Sequence, residues 1–267
     1  MSTLNILAVG DIYGADGLAF AKEHLRTVKN RFSADLVIVN AENASRGNGT
    51  SAADAKELLD AGADALTGGN HSLRHTGFFT VLEDCDNVLR PLNFPELAPG
   101  RGHCILYGPE GVRVLLLNAQ GQVFMDYSID NPVTATERVL DKLKGEYDVA
   151  VCDFHAEATS EKAVFANAFD GRLSAVWGTH THVQTADERI LPGGTGFLSD
   201  LGMTGVADSI IGGAKEGILA YYRTHVRTKI EDAKGECALH GALFTIDASA
   251  GRCTGVKRIQ FGKESIQ

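Results

Sequence analysis

Leu4-Asn5-Ile6-Leu7-Ala8-Val9-Gly10-Asp11 is an apolar run of strand length that stops on a carboxylate. The pattern recurs along the chain. Leu36–Val39 is followed by Glu42 and Asn43, Ala65–Thr67 by Asn70, Val149–Phe154 by His155, and Ala175–Trp177 by His180 and His182. Helical patterns separate the runs, which is the signature of βαβ units. Leu18, Leu25 and Val28 repeat at near-helical spacing within Gly17–Phe32, and further helices are predicted over Ser51–Ala61, Thr134–Leu143 and Ser160–Phe169. In a parallel α/β sheet the carboxyl ends of the strands open on one crevice. Asp11, Glu42, Asn43, Asn70, His155, His180 and His182 would then converge there. Two carboxylates, two amides and three imidazoles can hold two divalent cations.

The rest of the chain fits around this frame. A Ser/Thr start signal opens the Ser51–Ala61 helix, and Thr159-Ser160-Glu161 offers a capping start for the last one. Val112–Leu117 reads as an additional strand whose end brings Asn118-Ala119-Gln120-Gly121 to the crevice. Leu89–Gly102, rich in Pro and Gly, is expected to be an ordered surface loop. Ala238–Ile246 and Thr254–Phe261 read as a hairpin around Ser249-Ala250-Gly251 that closes one edge of the fold. With no internal repeat or long linker, residues 1–267 are expected to form one domain of the α/β class, with helices outside central sheets.

The chain carries a formal net charge of −9 and no Lys/Arg cluster of the kind that tracks a phosphate backbone. Long nucleic acids are therefore poor partners. A small anion is compatible, because metal ions would supply local positive charge. The five cysteines form no Cys-x-x-Cys pair, as expected of free thiols in a reducing compartment. Met1–Asn5 has no basic n-region, and no run reaches the roughly 18 apolar residues of a membrane span. A cytoplasmic protein without membrane partners is expected.

Taken singly, each motif has an ordinary alternative. Gly10-Asp11 is a common dipeptide, and Asn40-Ala41-Glu42-Asn43 and Gly68-Gly69-Asn70-His71 are compatible with turn chemistry. Gly178-Thr179-His180-Thr181-His182 is more specific. Two histidines two apart point to one side of an extended segment, and His is the commonest metal ligand.

Gly10-Asp11, Gly69-Asn70-His71 and Gly178–His182 together resemble the motif set of calcineurin-type metallophosphoesterases. The nearer likeness is to the bacterial YmdB-like phosphodiesterases. It is carried by Asn40–Asn43, by Asp153 through Lys162, by Gly178 through Asp187, and by Gly202-Met203-Thr204-Gly205. The resemblance spans Asp11 to about Gly205. Two marks of the wider superfamily are missing. Asp11-Ile12-Tyr13 stands where an Asp-x-His opening is usual, and no Gly-Asp-x-x-Asp supplies a bridging aspartate. The YmdB-like branch is similar in both respects: a glutamate bridges, and the asparagine after it joins the first metal.

The resemblance implies a metallophosphoesterase-like layered fold with central mixed sheets. It assigns Asp11, Glu42, Asn43 and His182 to one metal, and Glu42, Asn70, His155 and His180 to the other. Iron or manganese is implied, and oxygen donors mixed with imidazole suit Fe, Mn or Zn. Two cations would neutralise the phosphoryl group while a water between them attacks in line. His71 matches the family's catalytic histidine, the expected donor of a proton to the leaving oxygen; its alternative is to orient water or phosphate. The implied substrates are small cyclic nucleotides of the 2′,3′ kind, and a homo-oligomer is compatible. A phosphomonoesterase, a protein phosphatase or a nucleotide-sensing module could be built on the same core. Arg46-Gly47-Asn48-Gly49, Glu157, Gln184 and Thr204 are candidates for substrate contact. His75 is read as lining the rim of the site, His24, His103, His225 and His240 as surface or packed histidines, Cys152 and Trp177 as core, and Asp153 as a partner behind the ligands if its side chain faces them.

Overall fold

The protein, described here by a computed structural model that covers residues 3–45, 48–125, 128–227 and 229–262, runs in chain order through nineteen elements. They are β1 (Thr3–Val9), β2 (Asp11–Ile12), α1 (Gly14–Arg31), β3 (Leu36–Asn40), α2 (Ala52–Asp60), β4 (Ala65–Thr67), α3 (Phe79–Asp84), β5 (His103–Tyr107), β6 (Arg113–Gln120), α4 (Pro132–Lys142), β7 (Val149–His155), α5 (Thr159–Ala168), β8 (Ala175–Thr179), β9 (Arg189–Ile190), β10 (Gly196–Leu198), β11 (Met203–Val206), α6 (Lys215–Thr224), β12 (Cys237–Asp247) and β13 (Arg252–Phe261). They form two mixed sheets, ordered β2-β11-β12-β1-β3-β4, with β13 on β12, and β5-β6-β7-β8-β10-β9.

The near-continuous apolar runs follow from burial on both faces. The inner faces of the two sheets share a core that includes Leu4, Ile6, Ile38, Leu116, Val151, Trp177 and Phe244. Trp177 and Phe244 meet across it with ring centroids 5.4 Å apart. Outside the first sheet, Leu7, Val9 and Val37 pack on Leu18, Leu25 and Val28 of α1 and Leu58 of α2. Outside the second, Leu115, Leu117, Cys152 and Phe154 pack on Leu140 of α4, on Phe165 of α5 and on Phe169 just after it. Helices thus cover both outer faces, as the sequence predicts. β1, β3 and β4 run parallel, as do β6, β7 and β8, so the carboxyl ends of these strands form one rim.

Two local expectations need correction. The α5 helix begins at Thr159 with Ala158 in the N-cap position and no side-chain cap; Glu161 instead accepts the backbone N–H groups of Gln122 and Val123. The Leu89–Gly102 loop is ordered but not confined to the surface. Arg90 is buried in it and donates to the carbonyls of Pro91, Ala98 and Pro99. The C-terminal hairpin forms and closes one edge of its sheet as expected, with β12 paired to β1 and β13 outermost. Ser51 does cap α2, accepting the Asp54 N–H at 3.1 Å.

Gly178 marks where the rim is tightest. A Cβ there would run into the Ser199 carbonyl and come within 2.8 Å of Lys162 Cδ. Gly178→Ala should therefore destabilise the fold by about 1–3 kcal/mol, the usual penalty of overpacking. Urea unfolding of the variant checks it, and an unchanged midpoint would contradict the packing described.

Candidate metal centre

The rim gathers all seven residues that the strand ends predict. Asp11 enters through a shift in the sheet: β1 stops at Val9, and β11 pairs with β2 at Met203–Asp11, turning the aspartate into the crevice. Its Oδ2 accepts the His180 N–H at 3.1 Å. Its Oδ1 is buried without a hydrogen bond, 3.8 Å from His182 Nε2 and 3.9 Å from His155 Nδ1. Glu42, just past β3, is central. Its Oε1 lies 3.2 Å from His155 Nε2 and 3.1 Å from His71 Nδ1, and its Oε2 accepts the His71 backbone N–H at 3.1 Å. Asn70 Oδ1 sits 3.1 Å from His155 Nε2. Asn43 turns its amide nitrogen to Glu42 Oε1 at 3.1 Å and to His182 Nε2 at 3.3 Å, while its Oδ1 meets His71 Nδ1 at 2.9 Å. A half-turn of that amide would present oxygen to the cluster instead.

The histidine pair reaches the site by a route the sequence does not predict. β8 ends at Thr179, and His180 (φ 96°) and His182 (φ 64°) are both left-handed rather than extended. Such backbone is uncommon for non-glycine residues and gathers at functional sites. A buried ion pair holds the turn: Lys162 Nζ meets Asp200 Oδ2 at 2.6 Å, and the same oxygen accepts the Thr181 N–H at 3.2 Å. Lys162 has a sequence signal, since it falls on the apolar stripe of α5 with Phe165 and Ala166.

The hydrogen-bond partners fix the imidazoles. Asp153 faces inward, accepting from Thr67 Oγ1 (2.5 Å), Asn40 Nδ2 (3.0 Å) and Thr179 Oγ1 (2.7 Å). Thr179 Oγ1 in turn meets His155 Nδ1 at 2.9 Å. Asp153 thus acts on His155 through Thr179, which leaves the Nδ1 proton on His155 and Nε2 free. The Glu157 carboxylate, 3.2 Å from His180 Nε2, places the proton there, leaving Nδ1 free. The Ile211 carbonyl takes Nδ1–H of His182 at 2.9 Å, freeing its Nε2. This is the usual way an outer partner sets the tautomer of a metal-binding histidine. As a result, the free nitrogens of His155 and His180 face each other at 3.1 Å. Two lone pairs at that distance require a cation or a proton between them.

The electrostatics agree. Burial pushes the Asp11 carboxyl up to about 6 against the pull of His182 and His155. Burial also opposes ionisation of Glu42, yet His155 and His71 hold it well below the carboxylate range. Burial depresses His155, but Glu42 and Asp11 outweigh it and carry it up to about 9, whereas burial and the neighbouring His155 push His180 down to about 3. A pocket so rich in buried donors, with an orphaned carboxylate oxygen, fits metal ions. Glu42, His155 and His180 alone form a group able to hold one.

A cleft of about 380 Å³ opens above the cluster and is lined by Glu42, Asn43, Asn48, His71, Glu157 and other residues. Glu157 and Asn48 therefore stand where a substrate contact would; Arg46 and Gly47 lie outside the described residues. Three other candidates serve the scaffold. Asn118 lies within β6 and bonds Gly68, and Gln184 donates to the carbonyls of Leu201, Gly241 and Ile259. Thr204 is buried in β11. Gln120 is buried inside β6 beside His155 in register, with its amide unpartnered. His75 bonds the carbonyl of Asn48, a residue of the cleft lining, at 2.8 Å.

Comparison with known proteins places this geometry in context. The family described as YmdB-like protein matches residues 7–259. A 2′,3′-cyclic-nucleotide 2′-phosphodiesterase of Bacillus subtilis is 37% identical over 256 residues, covering 96% of each chain. The crystal structure of a phosphatase from Mycoplasma pneumoniae superposes with a TM-score of 0.91 at 32% identity, over 100% of this chain and 96% of that one. A hypothetical protein of Thermus thermophilus gives a TM-score of 0.90 at 37% identity, over 98% and 100%.

Thr179→Val keeps the side-chain shape and removes the link from Asp153 to His155. Metal affinity, read by competition with a chelator, is expected to fall by about 10–100-fold, as when such outer partners are lost elsewhere. Unchanged affinity would show that Thr179 does not orient the imidazole.

Proposed function

The chain belongs to the YmdB-like family, and from that premise we propose that it is a metal-dependent phosphodiesterase acting on small cyclic nucleotides of the 2′,3′ class. The observation that carries the reading is the convergence of Glu42 with the free nitrogens of His155 and His180 at the floor of an open cleft. The name of the Bacillus subtilis relative supplies the substrate class. The net charge of −9 suits a small substrate better than a nucleic-acid chain.

Asp11, Glu42, Asn43 and His182 would hold one cation, and Glu42, Asn70, His155 and His180 a second. Oxygen and imidazole donors without thiolate suit iron or manganese, with zinc compatible. A bound pair supplies positive charge to the phosphoryl oxygens and acidity to the attacking water. The protein's own residues do the rest. Thr179, Glu157 and the Ile211 carbonyl hold the outer nitrogens, so that each neutral histidine presents its inward lone pair to a metal, while burial keeps bulk water from competing for Glu42 and Asp11. His71 lines the cleft beside Glu42 and Asn70, where it can give a proton to the departing alkoxide. Five free thiols accord with a reducing cytoplasm. Among the described residues, no helix is long and apolar enough to cross a membrane.

The Mycoplasma pneumoniae relative is described as a phosphatase, so monoester hydrolysis is the competing reading. Rates on bis-p-nitrophenyl phosphate and p-nitrophenyl phosphate separate them: faster diester turnover is expected, and faster monoester turnover would reject the diesterase. His71→Ala should lower diester turnover by roughly 10²–10⁴-fold, the usual contribution of a placed general acid. Metal content should stay at the wild-type level; loss of both together would remove the proton-donor role.

A further inference from the structure

Part of the cleft lining is aliphatic and supplies no side-chain metal ligand. Ile210, Ile211, Ile218 and Ile230 form it, next to Tyr13, whose ring meets that of His182 edge-on at 5.4 Å. This aliphatic wall is built by convergence from three segments. Ile210 and Gly213 exchange backbone hydrogen bonds at 3.0 and 2.9 Å, closing a two-residue turn over Ile211 and Gly212. Gly213 lets Ile218 of α6 and Ile230 close in: a Cβ there would lie 2.7 Å from one and 3.1 Å from the other.

Ile211 is the anomaly. It sits at φ 47°, followed by Gly212 at φ 100°, where Asn-Gly is the undemanding choice. A β-branched side chain in left-handed backbone is strained. This one is also 53% exposed, so packing does not explain it. Its carbonyl orients His182, but any residue supplies a carbonyl. What isoleucine adds is an aliphatic face over the cleft.

We propose that this wall seats the nucleobase of the substrate, by van der Waals contact rather than by reading its edge. The cleft lining combines metal-competent polar side chains with a cluster of four isoleucines, suiting a molecule that joins a phosphodiester to a flat heterocycle. The aliphatic residues offer no side-chain donor or acceptor. The seat therefore discriminates nucleotides from base-free diesters while accepting purines and pyrimidines alike. This deepens the diesterase reading and rests on it.

The test compares kcat/KM for adenosine 2′,3′-cyclic phosphate with that for methyl riboside 2,3-cyclic phosphate, which lacks the base. Wild-type protein should prefer the nucleotide, with the adenine and uracil substrates alike within about tenfold, since apolar contact scales with area and not with edge pattern. In Ile218→Ser/Ile230→Ser the preference should fall roughly tenfold, about the worth of one lost apolar contact. Ile211→Asn, which relieves the backbone strain and keeps the carbonyl, should fold at least as stably as wild type and also lower the preference. A preference ratio unchanged in both variants, or equal loss on both substrates, would overturn the seat and leave the diesterase reading standing. Wild-type protein that hydrolyses neither substrate would overturn both.

Discussion

The inward nitrogens of two imidazoles and a carboxylate are held within about hydrogen-bonding distance of one another in a buried pocket, and the rest of the structure is arranged to keep them there. His155 and His180 are not free to relieve the conflict by exchanging tautomers, because Thr179 and Glu157 engage their outer nitrogens. Nor can Asp11 turn its orphaned oxygen to water, since it is buried. Without cations, Glu42 is left to a proton on His155. Buried charge of this kind is expensive unless paired, and a set of lone pairs converging on one another is an arrangement that positive ions resolve.

The scaffold supplies the rigidity this needs. Each candidate ligand lies within a few residues of a strand that is buried on both faces, so its backbone is fixed by the ladder and by the helix packed behind. The one exception is the His180–His182 turn, which leaves the sheet in left-handed backbone. There the structure substitutes a buried Lys162–Asp200 pair for the ladder, and the Ile210–Gly213 turn reaches across to hold His182 from the other side. The same turn carries the aliphatic wall, so orientation of a candidate ligand and shape of the substrate cleft depend on one short segment.

Much of this was legible in the residue order. The long runs Leu4–Val9, Leu36–Val39 and Val149–Phe154 announce central strands because a doubly buried strand is apolar at every position. The polar groups after them stand out for the same reason. Among the strands of two to four residues, β4 was legible from its apolar run, but β2, β9, β10 and β11 are too short for a periodicity to register. The α6 helix has no buried residue, so its apolar side chains carried no packing signal, and one of them, Ile218, lines the cleft. Hydrogen-bonded chains such as Asp153–Thr179–His155 join residues on neighbouring strands, and only the pairing register brings them together. The two histidines of the final motif were rightly grouped but for the wrong geometric reason. Their common direction comes from a strained turn and not from strand alternation.

Crystals grown with manganese(II) and measured for anomalous scattering would test the central claim most directly. The account predicts two peaks about 3.5–4 Å apart, the usual spacing of paired catalytic ions, with Glu42 touching both, and with Asp11 and His182 on one side and His155 and His180 on the other. A single fully occupied site under metal-replete conditions, or two sites that Glu42 does not join, would contradict it.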